Sequence, residues 1–573
     1  MTTEQMQPSR GWLTATVNAV RPLAPRWGPV VVLVAGLVAA GVLLVESARR
    51  LWFFGDDWDF LLNRGTVPGA DRGLFFPHNE HWSTIPILLF RAVFAVAGLR
   101  QYLPYALPVI AAHLGVTVLM YLLLVRFGTS RWVAVAVSLF LAFLGAGAEN
   151  TLWDFQIGMV GSIFFGLLAL WLYDQHEQVG WRLSLVWVAM VLALMCSGVA
   201  LVMLVAVCVY AAARRGLVRA AAVASVPLAV YGLWYLGWGR LAAHLPVSSP
   251  WDYLLVPQYV WTGLTYAWER NSGIPGSGAV ILVVLIGAAL MVRSAPAKLR
   301  HLAWAGLAGA LAQLLLSGVT RISLGVEQAT APRYVYIVSV LMAPALALVL
   351  QAVADRLTVP RWVPVCLVVA LAALVVVNGV RLTHDFLTTR RAMVVSMPDL
   401  VLSAAAIVRQ GGHVLTPALE PIYNPNISAP LLASPQIQGA LPHGSPSGQG
   451  LLSAAAHIQV GVNAAVMAVP KAATVTLVSG FVGASTGGSG CHAYEATIAA
   501  PVIELPATPT GSQIRITGAT TSVTTVLRRG SLTSAPVSWR VTPGSPVFVG
   551  TSAPNASLQI ALDHGGIVTL CTR

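Results

Sequence analysis

From Val30 to about Val380 the sequence returns repeatedly to long apolar stretches, and their length decides what most of this chain can be. A bilayer core takes about 20 apolar residues per helical crossing, and lipid offers no partner to a backbone N–H or C=O, so stretches of this kind read as membrane helices. Composition agrees, with 57% hydrophobic and only 10% charged residues among 573, where soluble domains carry roughly 25% charged. A soluble globular enzyme is excluded. The net charge of +13 would suggest nucleic acid in a soluble protein, but here the arginines lie mainly between apolar stretches, where they set topology. No nucleic-acid partner is expected.

The fold class expected is a polytopic all-α membrane domain of about 11 helices followed by a mostly β extracytoplasmic domain. The spans fall near 28–47, 104–125, 132–147, 158–173, 183–196, 198–213, 219–238, 276–292, 302–318, 334–353 and 363–380. Residues 1–27 lack a convincing small-residue cleavage site and read as a cytoplasmic N-terminus before a retained first helix. Starting inside, the inner segments hold Arg10, Arg21 and Arg26, then Arg126 and Arg131, Arg182, Arg214 and Arg215, Lys298 and Arg300, and Arg356 and Arg361, whereas the outer connection 149–156 holds no basic residue. An odd number of spans then places the C-terminal part outside a multi-pass protein of the cell membrane.

One apolar stretch, Ile85 to Leu99, does not fit as a span. It is short, contains Arg91, and crossing there would invert every later loop, so it reads as an interfacial helix on the outer leaflet. The domain boundaries expected are therefore a membrane domain over 28–380, with a long first outer loop over 48–103, and an outer domain over 381–573. Long ordered loops tend to be functional. In the outer domain, Ala473–Leu477, Gln513–Thr517, Val537–Val541 and Leu558–Leu562 alternate like strands, and Pro398–Ile422 reads as helix then strand. Its two cysteines, Cys491 and Cys571, are expected to pair in an oxidising compartment. Cys196, Cys208 and Cys366 lie in apolar stretches and read as inert packing.

Chemistry concentrates in the outer connections. The first loop opens Trp52-Phe53-Phe54-Gly55-Asp56-Asp57-Trp58-Asp59-Phe60, with Arg64 shortly after. Adjacent carboxylates repel and raise one another's pKa, so they seldom persist at a membrane surface without a proton, cation or substrate. If residues 56–60 form a helical turn, Asp56 and Asp59 share a face and Asp57 points about 100° away. The same loop later reads Phe75-Phe76-Pro77-His78-Asn79-Glu80-His81-Trp82. Its histidines and Glu80 suit either an acid/base and hydrogen-bonding set or a divalent-cation site, with Asp57, His78 and His81 as candidate ligands and an interfacial turn as the plain structural alternative. Glu149–Gln156 adds Asp154 and Gln156 beside an aromatic face. The segment ending Trp268-Glu269-Arg270 suits saccharide stacking or an aromatic belt. Arg321, Arg333 and Tyr334 stand at outer span ends, where an arginine fork can clamp phosphate or pair with Glu327.

These residues together resemble the GT-C superfamily of integral membrane glycosyltransferases, in a bacterial branch carrying Trp153-Asp154-Phe155-Gln156-Ile157-Gly158. The resemblance lies in Asp56-Asp57 directly after helix one, the interfacial helix, the Arg333-Tyr334 entry to a late span and the outer C-terminal domain. A third acid, Asp59, departs from the pattern. The resemblance implies a hexosyl or pentosyl transferase taking sugar from a polyprenyl-phosphate donor to a hydroxyl of an envelope glycan, lipid or protein. It implies Asp56, or its rival Asp57, as base, and substrate contacts from Asp59, Arg64, His78, Glu80, His81, Asp154, Gln156, Trp268, Arg321, Arg333 and Tyr334. A divalent cation is the one cofactor candidate, and the sequence does not give the metal requirement. The competing classes are a transporter or flippase, an acyltransferase using His78 or His81, and a non-catalytic scaffold that binds wall polymer.

Overall fold

A computed structural model describes residues 27–572 apart from 68–70, 176–180, 243–245, 247–248, 357–361, 421–423, 464–468, 473, 487–489, 498–499, 519 and 564–565. The expected cytoplasmic N-terminus, with Arg10, Arg21 and Arg26, lies outside the described residues, as do Arg361 and the side chain of Cys366.

All eleven expected spans are helical. Their helices are α1 (Gly28–Ala48), α4 (Leu103–Arg126), α5 (Arg131–Ala142), α7 (Ile157–Gln175), α8 (Arg182–Leu194), α9 (Val199–Arg215), α10 (Leu217–Gly237), α12 (Gly278–Met291), α13 (Ala297–Arg321), α14 (Pro332–Arg356) and α15 (Trp362–Val394). Among the described residues seven helical segments are long and apolar enough to cross a membrane, which makes this a multi-pass membrane protein. Helix α1 leaves Val31, Val34 and Val38 exposed, and α10 leaves Leu228, Leu233 and Leu236 exposed, as surfaces that lipid would cover. Helices α13 and α14 cross closely because Gly306 carries no side chain, and a Cβ there would stand 1.9 Å from the Leu341 carbonyl oxygen.

Charges mark the bundle's two ends. At one end Asp174, at the close of α7, binds Arg126 from α4 at 2.6 Å, Lys298 from α13 at 3.0 Å and the Tyr210 hydroxyl from α9 at 2.8 Å. These groups all come from segments expected on a single side. The connection after α1, at the other end, contains α2 (Asp57–Leu62) and α3 (Thr84–Ala97), the latter being the apolar stretch expected to lie at the interface. Short α6 (Ala148–Leu152) lies between α5 and α7, and α11 (Val256–Ser272) between α10 and α12. Helix α11 buries Tyr259, Gly263, Ala267 and Trp268, a helical repeat in a segment whose aromatics alone had suggested a surface connection.

Helix α15 runs past residue 380 to Val394, so the last apolar stretch and the C-terminal part are joined without a break in the helix. After α16 (Met397–Arg409) comes a two-stranded ribbon, β1 (Ala418–Glu420) with β2 (Asn424–Ser428), then α17 (Ala429–Leu432), α18 (Pro435–Ala440) and α19 (Gly448–Ile458). Two six-stranded antiparallel sheets follow. One is built around Ser522–Arg529, Ala556–Leu562 and Val502–Thr508, the other around Val547–Thr551, Ser512–Thr517 and Gly566–Cys571. Alternation explains them, since Ala556–Leu562 buries every second residue.

Cys571 lies directly opposite Cys491 on paired strands, and the two are disulfide-bonded. Cys196 is buried and Cys208 half-buried, both as free thiols. The bridge closes a loop of 80 residues, which in the chain-entropy model stabilises the C-terminal sheets by about 4 kcal/mol. Replacing both cysteines by serine is therefore expected to lower their thermal midpoint by several degrees. Differential scanning calorimetry of purified protein with and without reductant measures it, and reductant should have no further effect on the double variant.

Candidate functional site

The chain leaves α1, turns through Gly55 with φ +63° and enters α2 with Asp56 as its N-cap. Carboxylates suit this position because the first-turn N–H groups of a helix are unpaired and its N-terminus is electropositive. The helical spacing divides the three acids as the sequence implied. Asp56 and Asp59 both face His78, whose Nε2 lies 3.6 Å from Asp56 Oδ2 and whose Nδ1 lies 2.9 Å from Asp59 Oδ2. Asp57 turns away, accepting from Trp153 Nε1 at 2.7 Å and from the Phe54 amide at 2.9 Å.

His78 and His81 exchange backbone hydrogen bonds across a tight turn in which Asn79 adopts φ +50°. Buried Arg64 fastens this turn to the acids. Its Nε donates to Asp59 Oδ2 at 2.8 Å, while Nη1 and Nη2 donate to the carbonyls of Phe76 and Pro77 at 2.8 and 3.2 Å. Burial alone would raise the Asp59 pKa, but the His78 hydrogen bond and the Arg64 charge override it and bring it to about 2. Burial alone would likewise lower His78, but the nearby Asp56 carboxylate and the hydrogen-bonded Asp59 carboxylate lift it to about 9. His78 is an imidazolium at neutral pH. Asp57 goes the other way, pushed well up by burial and by the charge of neighbouring Asp154. The three acids of one short run are thus held in different environments.

Beside this turn lies a cavity of about 250 Å³. It brings together Asp56, Glu80, His81, Gln156, Arg321, Arg333 and Tyr334 from the residues singled out in the sequence. Arg321 pairs with Glu80, Nη1 to Oε1 at 2.7 Å and Nη2 to Oε2 at 2.5 Å, in the bidentate geometry of a guanidinium and a carboxylate. That contact takes the place of the Glu327 pair considered from sequence. Arg333 Nη1 donates to Glu149 Oε1 at 3.1 Å, and its guanidinium lies 5.1 Å from the Tyr334 ring centre. The Gly198 amide donates to His81 Nδ1 at 3.3 Å, and burial holds the His81 imidazole neutral, with its pKa down to about 4. Glu149 also lines a second cavity of about 440 Å³, together with Arg270, Glu327, Asp385 and Arg390.

Asp57, Asp59, Arg64, His78 and Asp154 do not line the smaller cavity; they support its wall. Asp154 accepts from the Tyr102 hydroxyl at 3.2 Å and from the Phe155 amide at 2.9 Å. Trp268 is corrected outright as a surface for stacking sugar. It is buried in the bundle, stacked on Phe140 with its indole N–H on the Met342 sulfur, because α11 turns it inward. The candidate metal ligands Asp57, His78 and His81 each face a different partner, and no group of three or more His, Cys, Asp or Glu side chains suited to a metal forms among the described residues. Sequence reading missed Tyr102 and Asn424. Neither carries a motif, and both reach the site from segments remote in sequence.

No protein-family model matches the chain, and no curated protein matches it in sequence. Two solved structures are similar to part of it, both of ArnT from Cupriavidus metallidurans. The apo form is 14% identical, with 72% of this chain and 84% of that one covered and a TM-score of 0.47. The form bound to undecaprenyl phosphate is 15% identical, with 72% and 88% covered and a TM-score of 0.46. Similarity at this level assigns no residue a role.

Because His78 titrates higher when folded, near 9 against an ordinary 6.5, its pairing with the acids stabilises fully below about pH 6.5 and is lost as pH rises through about 9. A His78→Gln variant is therefore expected to melt lower than the parent at pH 6, with the difference shrinking to little above pH 9. Thermal melts of detergent-solubilised protein across that range provide the check; a gap that stays constant with pH would contradict the charged assignment.

Proposed function

We propose that this protein is a GT-C-type membrane glycosyltransferase that moves a sugar from a polyprenyl-phosphate donor to a hydroxyl of a cell-envelope glycan, lipid or protein outside the membrane, inverting the anomeric carbon. One observation carries the reading: Asp56 is the acid of its run that lines a cavity also lined by Arg321 and Arg333. A carboxylate base and guanidinium groups are what such a displacement requires. The acceptor oxygen bonds to the anomeric carbon as the bond from that carbon to the phosphate oxygen breaks. Asp56 takes the hydroxyl proton, and the arginines receive the charge gathering on the departing lipid phosphate. Asp57, held by Trp153 and the Phe54 amide with its proton favoured, positions the turn instead.

In this reading the reacting ends of donor and acceptor meet in the smaller cavity, which Asp56, Arg321 and Arg333 line together. In this reading no residue calls for a bound cation. A transporter would set its ionisable groups along broken helices at mid-membrane, whereas the groups here gather on loops and at span ends. An acyltransferase base is not favoured either, since His78 already carries its proton and lies behind the cavity wall.

Asp56→Asn keeps the side chain's size and removes its basicity, and is expected to lower transfer from a labelled polyprenyl-phosphate sugar by about 100- to 10,000-fold while donor binding persists. Near-parental turnover would end the proposal. Arg333→Lys replaces a planar fork with a point charge, and is expected to lower kcat/KM for the donor by about tenfold. Steady-state kinetics of the purified variant decide this, and an unchanged kcat/KM would make Arg333 a partner of Glu149 alone.

A further inference from the structure

The backbone turn that presents Asp56 is gripped from two directions. On its inner side Asp57 Oδ2 accepts from the Phe54 amide at 2.9 Å. On its other side the next amide, that of Gly55, donates to Asn424 Oδ1 at 2.7 Å, across 369 residues of sequence. Asn424 begins β2 and its side chain is fully buried. The turn has little room to adjust without this bond. Gly55 holds φ +63°, and a Cβ there would stand 3.0 Å from the Trp153 ring, so the backbone passes close against the indole that also binds Asp57.

The contact is one part of a wider docking of the outer domain on the first loop. Just past the end of α3 the Leu99 amide donates to the Ala440 carbonyl in the outer domain at 2.8 Å. Gly98, with φ +59°, lets the two backbones meet, since a Cβ there would lie 2.9 Å from the same carbonyl oxygen. Arg100 Nη2 reaches the Gly439 carbonyl at 3.4 Å. The outer domain therefore touches the loop at two places, through backbone at the end of α18 and through the Asn424 side chain beside Asp56.

We infer that Asn424 is a positioning residue for the Asp56 carboxylate, so that the outer domain completes the reaction site. The inference rests on the glycosyltransferase reading for its kinetic consequence but not for its structural one. Asn424 touches no reacting atom. It fixes the Gly55 amide, and through it the direction in which Asp56 leaves the backbone, and displacement of a base by about 1 Å can cost about 100-fold in rate.

The test uses the full-length purified protein with Asn424→Ala and Asn424→Asp, the second keeping an accepting oxygen at the same reach. Hydrogen–deuterium exchange over residues 51–60 is read alongside kinetics with a labelled polyprenyl-phosphate sugar. In Asn424→Ala, exchange at Gly55 is expected to rise, kcat to fall by about 10- to 100-fold, and donor KM to stay within about threefold. Asn424→Asp is expected to restore protection and part of kcat. Unchanged exchange in Asn424→Ala would overturn the inference, as would a loss of activity accompanied by faster exchange throughout the protein, which marks unfolding. Faster local exchange with unchanged kcat would overturn the catalytic consequence. Asp56→Asn run in parallel separates the two claims: if it too retains full activity the glycosyltransferase reading fails, while the exchange result still decides Asn424's hold on the turn.

Discussion

The Asp59 carboxylate, buried between Arg64 and His78, is the interaction on which the outer loop depends. A charge withdrawn from water is tolerated only when partners replace its hydration, and removing one partner strands the others at a cost of about 3–5 kcal/mol. Here the partners come from three places in the loop: the acid from α2, the guanidinium just after it, and the imidazole from the turn that begins at His78. Arg64 also occupies the carbonyls of Phe76 and Pro77. The acidic turn and the histidine turn are therefore one structural unit, which reaches the cavity through Asp56, Glu80 and His81.

This unit hangs from a bundle whose apolar surfaces give little direction. Leucine, valine and alanine faces can slide past one another, and lipid competes for them on equal terms. Register comes from the polar pairs at the helix ends. Glu80 to Arg321 ties the histidine turn to α13, and Glu149 to Arg333 ties the connection before α7 to α14. At the opposite end the Asp174 cluster draws together α4, α7, α9 and α13.

Aromatic packing supplies the third constraint. Phe54 and Trp153 stack at 5.0 Å, and Phe155 lies against both Phe60 and His78. These rings exclude water from the back of the site, so that Asp57 is held as a hydrogen-bonding strut while Asp56, one residue earlier, remains open to the cavity. Asp57 lies in the first turn of α2 with its carboxylate on Trp153 and the Phe54 amide, whereas Asp56 stands at the N-cap position with its side chain free of any capping bond and turned to the cavity.

How much of this was legible follows from the range of each interaction. The helices over the apolar stretches, the helix over Thr84–Ala97, the strand alternation and the division of Asp56 from Asp57 all depend on local periodicity, which a single sequence carries in full: a run of apolar residues must be a helix in lipid wherever it ends up. The mix of acids, histidines and arginines between those stretches was legible in the same way, as a set of candidates. What sequence could not decide was partnership. Arg321 chose Glu80, 241 residues away, over Glu327 six residues on; Trp268 turned inward with α11; and Asn424 reached Gly55. Such choices depend on which helix ends and domains meet in three dimensions, where one side chain's direction is fixed by the packing of many others, and no spacing along the chain encodes that.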